Sequence, residues 1–329
     1  MSASNNQCWL ITGGAGYIGS HIADEFLNAG KNIVIYDSLY KGLKSRIDYL
    51  SKKHNTQIHF FEADIRDEAA FTAALKDFKV TGIVHTAALK SVEESMSKRD
   101  EYLEVNYYAT KKMLEISKKH GVTHFIFSST AAVYGSPDSQ EPCIESGPTA
   151  PISPYGESKL LAEKDVTDFI SQPGNSGASL RFFNVVGTTS PELLDNSTEN
   201  LVPIILGKLK TNQPIKIFGS GYPTPDGTCI RDYVDVRDVA AAHLVAASAQ
   251  SLPPVINIGT GRGASVREVV DLVLATTKCE DAEVITTDGR PGDPALLCAD
   301  INLAKSAMAF TAKYSLKSSV ESIFVFKEL

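Results

Sequence analysis

Long apolar runs, paired cysteines and an excess of basic residues are all missing from this sequence. No stretch approaches the ~18 apolar residues of a membrane-spanning helix, so we expect no membrane partner. The five cysteines (Cys8, Cys143, Cys229, Cys279 and Cys298) are odd in number and scattered, which predicts free thiols and no metal site. A formal net charge of -7 disfavours nucleic acid as a partner, because its phosphates repel an acidic surface.

The start of the sequence lacks the pattern of a secretory signal. Residues 1–7 are polar and contain no basic stretch followed by an apolar run. We therefore expect a cytoplasmic protein with reduced cysteines. What is present is typical of a globular enzyme: 43% of the 329 residues are hydrophobic and 22% are charged. This length is enough for one large domain and a smaller lobe.

Short β-rich runs alternate with helical patterns in the first half of the chain. The predicted strands are Cys8–Thr12, Asn32–Asp37, Ile58–Asp64, Gly82–Ala87, His124–Ser129 and Ser179–Asn184. Several are almost entirely apolar, as in parallel sheets that helices cover on both faces. Helical patterns over Tyr17–Ala29 and Tyr102–His120 lie between them. This alternation predicts an α/β fold of the Rossmann type, with a doubly wound parallel sheet.

A glycine-rich turn joins the first predicted strand to the first predicted helix. It reads Thr-Gly-Gly-Ala-Gly-Tyr-Ile-Gly over residues 12–19. Gly13 suits a tight turn, Gly16 allows backbone to approach a pyrophosphate, and Gly19 allows close helix–strand packing. A diphosphate would then bind at the positive end of the helix. Asp37 ends the second strand, where a carboxylate accepts both ribose hydroxyls and repels a 2′-phosphate, so the pattern predicts NAD rather than NADP.

The third predicted strand ends with an acidic residue whose role has two interpretations. Asp64 and Ile65 are placed to flank an adenine ring. Alternatively, Asp64 caps the helix that begins at Asp67.

The pattern of the chain changes after about Gly187. Residues 188–232 are rich in Pro, Gly, Asn and Thr, with one helix near Leu201–Lys210 and a strand at Ile215–Phe218. A helix over Asp235–Ser248 and a returning strand at Val255–Gly259 follow, and then two or three helices after Ser265. We predict a nucleotide-binding domain of residues 1–187 plus about 233–262. A smaller discontinuous α/β lobe of 188–232 plus about 263–329 would bind the substrate.

Tyr155 and Lys159 lie four residues apart at the start of a predicted helix that runs to about Ile170. This spacing places them on one helix face. An ordinary tyrosine pKa of about 10 makes a poor base, but a nearby ammonium and a positive nicotinamide ring stabilise the phenolate. Lowering the pKa by ~3 units takes roughly 4 kcal/mol. We therefore predict that Tyr155 is a general base whose pKa Lys159 lowers.

Hydroxyl side chains end the fifth predicted strand, at Ser128, Ser129 and Thr130. At this edge of the sheet they can face the helix that carries Tyr155 and bridge to a sugar hydroxyl.

The sequence resembles the extended short-chain dehydrogenase/reductase family. The resemblance rests on three motifs in this order: the glycine loop, the hydroxyl cluster and the Tyr155/Lys159 pair. The likeness extends from Thr12 to about Asp300 and is greatest to its nucleotide-sugar 4-epimerases. It implies a tightly bound NAD that is regenerated in each cycle. It also implies that UDP-glucose and UDP-galactose are interconverted through a 4-keto sugar, with Thr130 orienting the 4-hydroxyl.

The resemblance implies a homodimer as well. Two helices of each copy would form a four-helix bundle at the dimer interface. They are the helix over Tyr102–His120 and the helix that begins at Tyr155. The candidate contacts are Leu103, Met113, Leu114 and Leu161, which could equally be buried within the monomer.

Further cofactor contacts follow from the resemblance. Lys90 would bind the nicotinamide ribose, Asn106 the ribose or the amide, and Phe183 would pack against the nicotinamide. The complete predicted cofactor set is Gly13, Gly16, Tyr17, Ile18, Gly19, Asp37, Ser38, Asp64, Ile65, Thr86, Ala87, Ala88, Lys90, Asn106, Ser128, Tyr155, Lys159 and Phe183.

The segment from Phe218 to Tyr233 resembles the part of these epimerases that binds the pyrimidine and the diphosphate. By this likeness Arg231 and Arg290 would bind the diphosphate; from the residues alone they could equally form surface ion pairs. Phe218 would contact uracil and Asp293 the uridine ribose. The complete predicted substrate set is Lys90, Thr130, Tyr155, Asn184, Asn200, Leu201, Lys216, Ile217, Phe218, Arg231, Tyr233, Arg290, Asp293 and Leu297.

Three other functions compete with this one. A dehydratase or decarboxylase needs a carboxylate beside Thr130, where the chain has Ala131, Ala132 and Val133. An epimerase for UDP-N-acetylhexosamine or UDP-pentose stays open, although the bulky Leu297 favours plain hexoses. A catalytically inactive NAD-binding regulatory protein is the alternative of another class, and the intact Tyr155/Lys159 pair argues against it.

Overall fold

The fold is described from a computed structural model that covers residues 8–137, 141–289 and 293–325. Within these ranges the strands are β1 (Cys8–Thr12), β2 (Asn32–Asp37), β3 (His59–Glu62), β4 (Val80–His85), β5 (His124–Thr130), β6 (Ser176–Phe182), β7 (Asn184–Val186), β8 (Ile215–Phe218), β9 (Ile230–Asp235), β10 (Val255–Ile258), β11 (Gly263–Ser265), β12 (Val284–Thr287) and β13 (Leu296–Leu297).

Helices connect most of these strands. The α-helices of the same ranges are α1 (Tyr17–Asn28), α2 (Lys44–Lys53), α3 (Glu68–Asp77), α4 (Val92–Ser95), α5 (Arg99–Leu103), α6 (Ala109–Lys119), α7 (Pro154–Ile170), α8 (Leu201–Lys210), α9 (Val236–Ser248), α10 (Val266–Thr277), α11 (Asn302–Met308) and α12 (Leu316–Phe324). A π-helical turn at Glu104–Tyr108 joins α5 to α6, and short 3₁₀ turns lie at Ala131–Tyr134 and Pro191–Leu193.

Seven parallel strands form the central sheet in the order β10-β6-β5-β4-β1-β2-β3. Successive side chains of a strand point to opposite faces, and each face of this sheet has its own apolar core. In β1, Trp9 and Ile11 enter one core while Leu10 enters the other. This arrangement confirms the predicted doubly wound α/β fold and explains why the strands are almost entirely apolar.

A third apolar core lies outside the central sheet. It contains Val202 of α8, Tyr233 of β9, Val270 of α10 and Val320 of α12. The sheet β11-β9-β13, which β7 joins at β9, and the pair β12-β8 belong to this part of the molecule. The helix Leu201–Lys210, the strand Ile215–Phe218 and the predicted helices after Ser265 are therefore confirmed.

Several predicted element boundaries are wrong by a few residues. The third strand is shorter than Ile58–Asp64, and β4 ends at His85 because the Thr86 hydroxyl donates to the carbonyl of Thr12 (2.5 Å) as the chain turns. The helix predicted over Tyr102–His120 is interrupted, since the π-helical turn inserts one extra residue per turn around Asn106.

The candidate dimer contacts are largely used within the chain. Leu103, Met113 and Leu114 are buried, the last two in the core that Phe125 and Phe169 line. The alternative that they are buried within the monomer is thus confirmed for these three, and Leu161 is half-buried. No helix of the described ranges is long and apolar enough to cross a membrane.

Candidate active site

The glycine loop packs so closely that side chains are excluded from it. Gly13 has a φ of +68°, and a Cβ there would lie 2.7 Å from the backbone nitrogen of Ala87. A Cβ on Gly19 would collide with the carbonyl oxygen of Gly13. The first N–H groups of α1, which begins at Tyr17, therefore open onto the loop without intrahelical partners. This is the geometry of a phosphate-binding helix N-terminus.

Asp37 links the end of β2 to this loop. Its two carboxylate oxygens accept the N–H groups of Ala15 (3.0 Å) and Leu39 (2.8 Å). Burial raises the pKa of Asp37, and these hydrogen bonds oppose the shift. Each oxygen keeps a further lone pair for a ribose hydroxyl.

The capping interpretation of Asp64 is wrong. Asp67 itself caps α3 by accepting the N–H of Ala70. Asp64 instead forms a two-point ion pair with Arg66 (2.7 and 2.8 Å), which lowers the pKa of its carboxyl. Its neighbour Ile65 is buried.

Asn106 holds the loop that follows β4. Its amide oxygen accepts the N–H of Leu89 (2.9 Å), and its amide nitrogen donates to the carbonyl of Leu89 (2.9 Å) and to the Ser158 hydroxyl (3.1 Å). Both amide hydrogens are therefore bound to protein, and the predicted contact of Asn106 with the ribose or the amide stays a prediction. The effect is to fix the loop that carries Lys90, whose ammonium lies 3.9 Å from Glu199.

Tyr155 and Thr130 meet where α7 approaches the end of β5. Ser153 caps α7 and Pro154 occupies its first turn. Gly156 allows the approach, since a Cβ there would lie 2.6 Å from the carbonyl oxygen of Ala132. The Thr130 side chain lies close enough to Tyr155 to favour the ionised form of the phenol. The structure thus brings together the base and the hydroxyl that the sequence predicts.

Burial dominates the electrostatics of Tyr155 and Lys159. It raises the pKa of Tyr155, and the nearby Thr130 side chain only opposes the shift. Lys159 is 3% exposed and lies 4.4 Å from the ring centre of Phe127. Burial lowers the pKa of Lys159 to about 7, although the Glu163 carboxylate opposes the change. Desolvation thus disfavours both charges, and the predicted lowering of the tyrosine pKa, which also needs the nicotinamide ring, stays a prediction.

Two residues assigned to different ligands share one small apolar cluster. Phe183 and Leu297 pack with Tyr134 and Ala299. Leu297 is the strand neighbour of Arg231, whose guanidinium binds Asp293 (2.5 Å). The cluster therefore joins the predicted nicotinamide wall to the predicted nucleotide-sugar pocket.

Strand β8 presents its residues on alternate sides. Lys216 and Phe218 are exposed, whereas Ile217 is fully buried in the third core. The buried side chain of Ile217 leaves only its backbone groups for the predicted substrate contact, which stays a prediction. Asn184 is exposed, while Tyr233 is buried in that same core.

Other predicted positions have contacts of their own or lie outside the described residues. Asn200 precedes α8 and donates to Asp195 (2.5 Å), with Leu201 as the first residue of the helix. Tyr17 donates from its hydroxyl to the carbonyl of Gly187 (2.6 Å). Arg290 lies outside the described residues.

The model of the NAD dependent epimerase/dehydratase family matches residues 9–259. The chain belongs to this family. It is 35% identical to the UDP-glucose 4-epimerase of Streptomyces lividans, covering 92% of this chain and 90% of the relative. It is 36% identical to that of Pasteurella multocida, covering 95% of each. A structure of UDP-glucose 4-epimerase from Stenotrophomonas maltophila, with bound NAD and formylated UDP-arabinopyranose, superposes with a TM-score of 0.90 at 34% identity over 97% of both chains.

In this family member, sequence reasoning missed the residues that support the site from below. Glu163, one turn after Lys159 on α7, accepts the Ser129 hydroxyl (2.5 Å) and two nitrogens of Arg181 (2.7 and 2.9 Å). All three residues are buried. The available signal was a glutamate on the buried face of a helix, at the same i, i+4 spacing from Lys159 as Lys159 has from Tyr155.

Buried histidines hold two further elements. His85 lies between the hydroxyls of Thr12 (2.7 Å) and Thr110 (2.8 Å), and burial lowers its pKa to about 3. The Ser128 hydroxyl is bound to His243 (2.9 Å) rather than facing α7. Ser128 therefore has a partner within the protein, and its predicted cofactor contact would have to compete with it.

Proposed function

We propose that this protein is an NAD-dependent 4-epimerase that interconverts UDP-glucose and UDP-galactose through a 4-keto sugar. One observation carries the proposal: the side chains of Tyr155 and Thr130 approach each other at the carboxyl end of β5, and the buried Lys159 follows one turn later on α7. UDP-glucose 4-epimerases that match this chain over more than nine-tenths of its length support the substrate assignment.

The cofactor that fits this cleft is a tightly held NAD. The glycine loop forms a cradle that a Cβ at Gly13 or Gly19 would fill, and α1 directs its N-terminus at it. Asp37 would bind the adenosine ribose, Asp64 and Ile65 would flank the adenine, and Phe183 would face the nicotinamide. The chemistry that NAD supplies when bound is reversible hydride transfer at the sugar C4.

The protein residues then move and hold protons. Tyr155 removes the 4-hydroxyl proton, Thr130 orients that hydroxyl, and the Lys159 ammonium stabilises the resulting phenolate. A positively charged cofactor ring beside Tyr155 would add to this stabilisation, which burial alone does not provide. After the keto sugar turns over in the pocket, Tyr155 returns the proton. Arg231 and Asp293 would keep the nucleotide in place meanwhile, with the predicted Arg290.

A second substrate class has one observation in its favour. The chain superposes with a TM-score of 0.84, at 35% identity, on the UDP-Glc/GlcNAc 4-epimerase of Campylobacter jejuni, covering 97% of this chain and 98% of that one. Activity on UDP-N-acetylglucosamine would need room near the sugar C2. The buried Leu297 in the cluster with Phe183 is the residue that we expect to limit it.

We further propose the organisation around this site. Residues 1–187 plus about 233–262 would form the NAD-binding domain, and 188–232 plus about 263–329 the UDP-sugar lobe. Most residues of the third core belong to the second set, whereas Val186 and Tyr233 belong to the first. A homodimer would use the surface around α5, α6 and α7, where Val92, Met96 and Tyr108 are exposed. Five free cysteines fit a cytoplasmic location.

Turnover without added cofactor tests the proposal. Purified protein is incubated with UDP-galactose, and UDP-glucose is measured by chromatography. We expect conversion that falls about 10²–10⁴-fold in Tyr155→Phe, the usual contribution of a general base. Absence of UDP-glucose, with NAD released from the denatured protein, would reject the substrate and leave the cofactor assignment standing.

A further inference from the structure

A buried arginine lies between the glycine loop and the segment that leads to α8. Arg46, on α2, is 1% exposed and is among the largest fully buried side chains of the described residues. No carboxylate of those residues forms an ion pair with it within 4 Å. Burying an arginine without a paired carboxylate is unfavourable unless hydrogen bonds compensate, so the contacts that it makes are informative.

On one side Arg46 fixes a peptide of the glycine loop. Its Nη1 donates to the carbonyl of Ala15 (3.1 Å), which also accepts the N–H of Leu43 (3.0 Å). The N–H of Ala15 is held by Asp37. The two peptide units that flank the Ala15 Cα are thereby both held, just before the N-terminus of α1.

On the other side Arg46 fixes the segment of residues 194–200. Its Nη2 donates to the carbonyl of Leu194 (2.6 Å) and to the amide oxygen of Asn196 (3.3 Å). Between these residues, Asp195 accepts from Asn200 (2.5 Å), the residue that precedes α8. One planar guanidinium thus joins the loop predicted to bind the cofactor to the segment predicted to bind the nucleotide sugar.

We infer that Arg46 is a positioning residue that couples the two ligand sites, so that an ordered glycine loop favours the substrate-binding arrangement of residues 194–200. The inference rests on the proposed function, since it needs both ligands in this cleft. Coupling of this kind is reciprocal: loss of the link weakens substrate binding and cofactor retention together.

Arg46→Lys tests the inference, because lysine keeps the charge but lacks the fork that spans both sides. UDP affinity for the holoenzyme is measured by calorimetry, NAD is quantified after denaturation, and KM and kcat are measured with UDP-galactose. We expect the Kd for UDP and the KM to rise about tenfold, resident NAD to fall, and kcat at saturation to change less than about threefold. Asn196→Ala, at an exposed position, should shift KM in the same direction by a smaller factor even if Arg46→Lys folds poorly.

Ile47→Val is the matched control, since Ile47 is a buried core residue on the same helix and its side chain cannot hydrogen-bond to either side of the link. It should lower the melting temperature while leaving UDP affinity and NAD content unchanged. Unchanged UDP affinity and NAD content in folded Arg46→Lys, or equal changes in Ile47→Val, would overturn the inference. Because UDP binding and NAD content are measured without turnover, this result is distinguishable from failure to epimerise UDP-galactose.

Discussion

The buried pair of Glu163 and Arg181 beneath Lys159 provides a quantitative prediction. Their side chains are 3% and 5% exposed, so Glu163→Gln leaves a guanidinium buried without its counter-charge. Breaking such a pair typically costs about 3–5 kcal/mol. With an unfolding entropy of about 2.1 cal/mol/K per residue, a chain of 329 residues should lose roughly 4–7 °C in melting temperature.

Glu163→Gln should also shift the pH dependence of catalysis. The Glu163 carboxylate raises the pKa of Lys159, which burial lowers to about 7. Glu163→Gln removes that negative charge and leaves the positive charge of Arg181 unpaired near Lys159. Lys159 and Tyr155 should therefore bind protons less tightly. Both limbs of the kcat/KM profile should therefore move to lower pH, by about one unit.

Two variants separate this explanation from a general loss of packing. Glu157→Gln removes a charge from the same helix but from an exposed pair with Arg99, so it should leave the melting temperature and the pH profile unchanged. Combining Glu163→Gln with Arg181→Met removes the unpaired charge and should recover most of the lost stability. A profile that moves to higher pH, or a single variant as stable as Glu157→Gln, would refute the reasoning.

Three further predictions concern other parts of the site. Lys159 has a pKa of about 7 in the folded protein and an ordinary value of 10.5, so the unfolded chain binds more protons between these two values and stability should rise with pH there. Lys159→Met should remove this slope and unfold at a higher denaturant concentration than wild type at pH 7, and an unchanged slope would contradict the shift. Gly19→Ala should release NAD, measured after denaturation, since its Cβ meets the backbone of Gly13; full NAD content would contradict the cradle. Leu297→Ala should increase the kcat/KM ratio of UDP-N-acetylglucosamine to UDP-glucose about tenfold, measured in competition assays, because it opens the cluster at Phe183; an unchanged ratio would place the C2 contact elsewhere.

The local sequence pattern predicted strand bounds well where an apolar run is clearly delimited. Strands Cys8–Thr12 and Asn32–Asp37 have the predicted bounds, since both are apolar between clear turn signals. The glycine loop, Asp37 and the Tyr155/Thr130 approach could be predicted because each depends on a short motif at a strand end.

Features that depend on long-range contacts could not be predicted in the same way. The interrupted helix around Asn106 depends on contacts with Leu89 and Ser158, which lie 17 and 52 residues away. From the sequence, Arg46 is an ordinary solvent-exposed arginine on a polar helix. Its burial depends on the contact with Leu194, which lies 148 residues later in the chain. The burial that opposes ionisation of Tyr155 could not be predicted either, because spacing locates Lys159 but says nothing about how deeply both groups are buried.

The third core also has a consequence for biosynthesis. Its side chains come from stretches as far apart as Val186 and Ile323, and α12 supplies Val320 and Ile323. Contacts of such long sequence separation form late, and a nascent chain folds from its N-terminus onward. Translation must therefore have passed α12 before this core can close. Until then, a ribosome-bound chain with a complete glycine loop would still expose the apolar faces of α8 and α10.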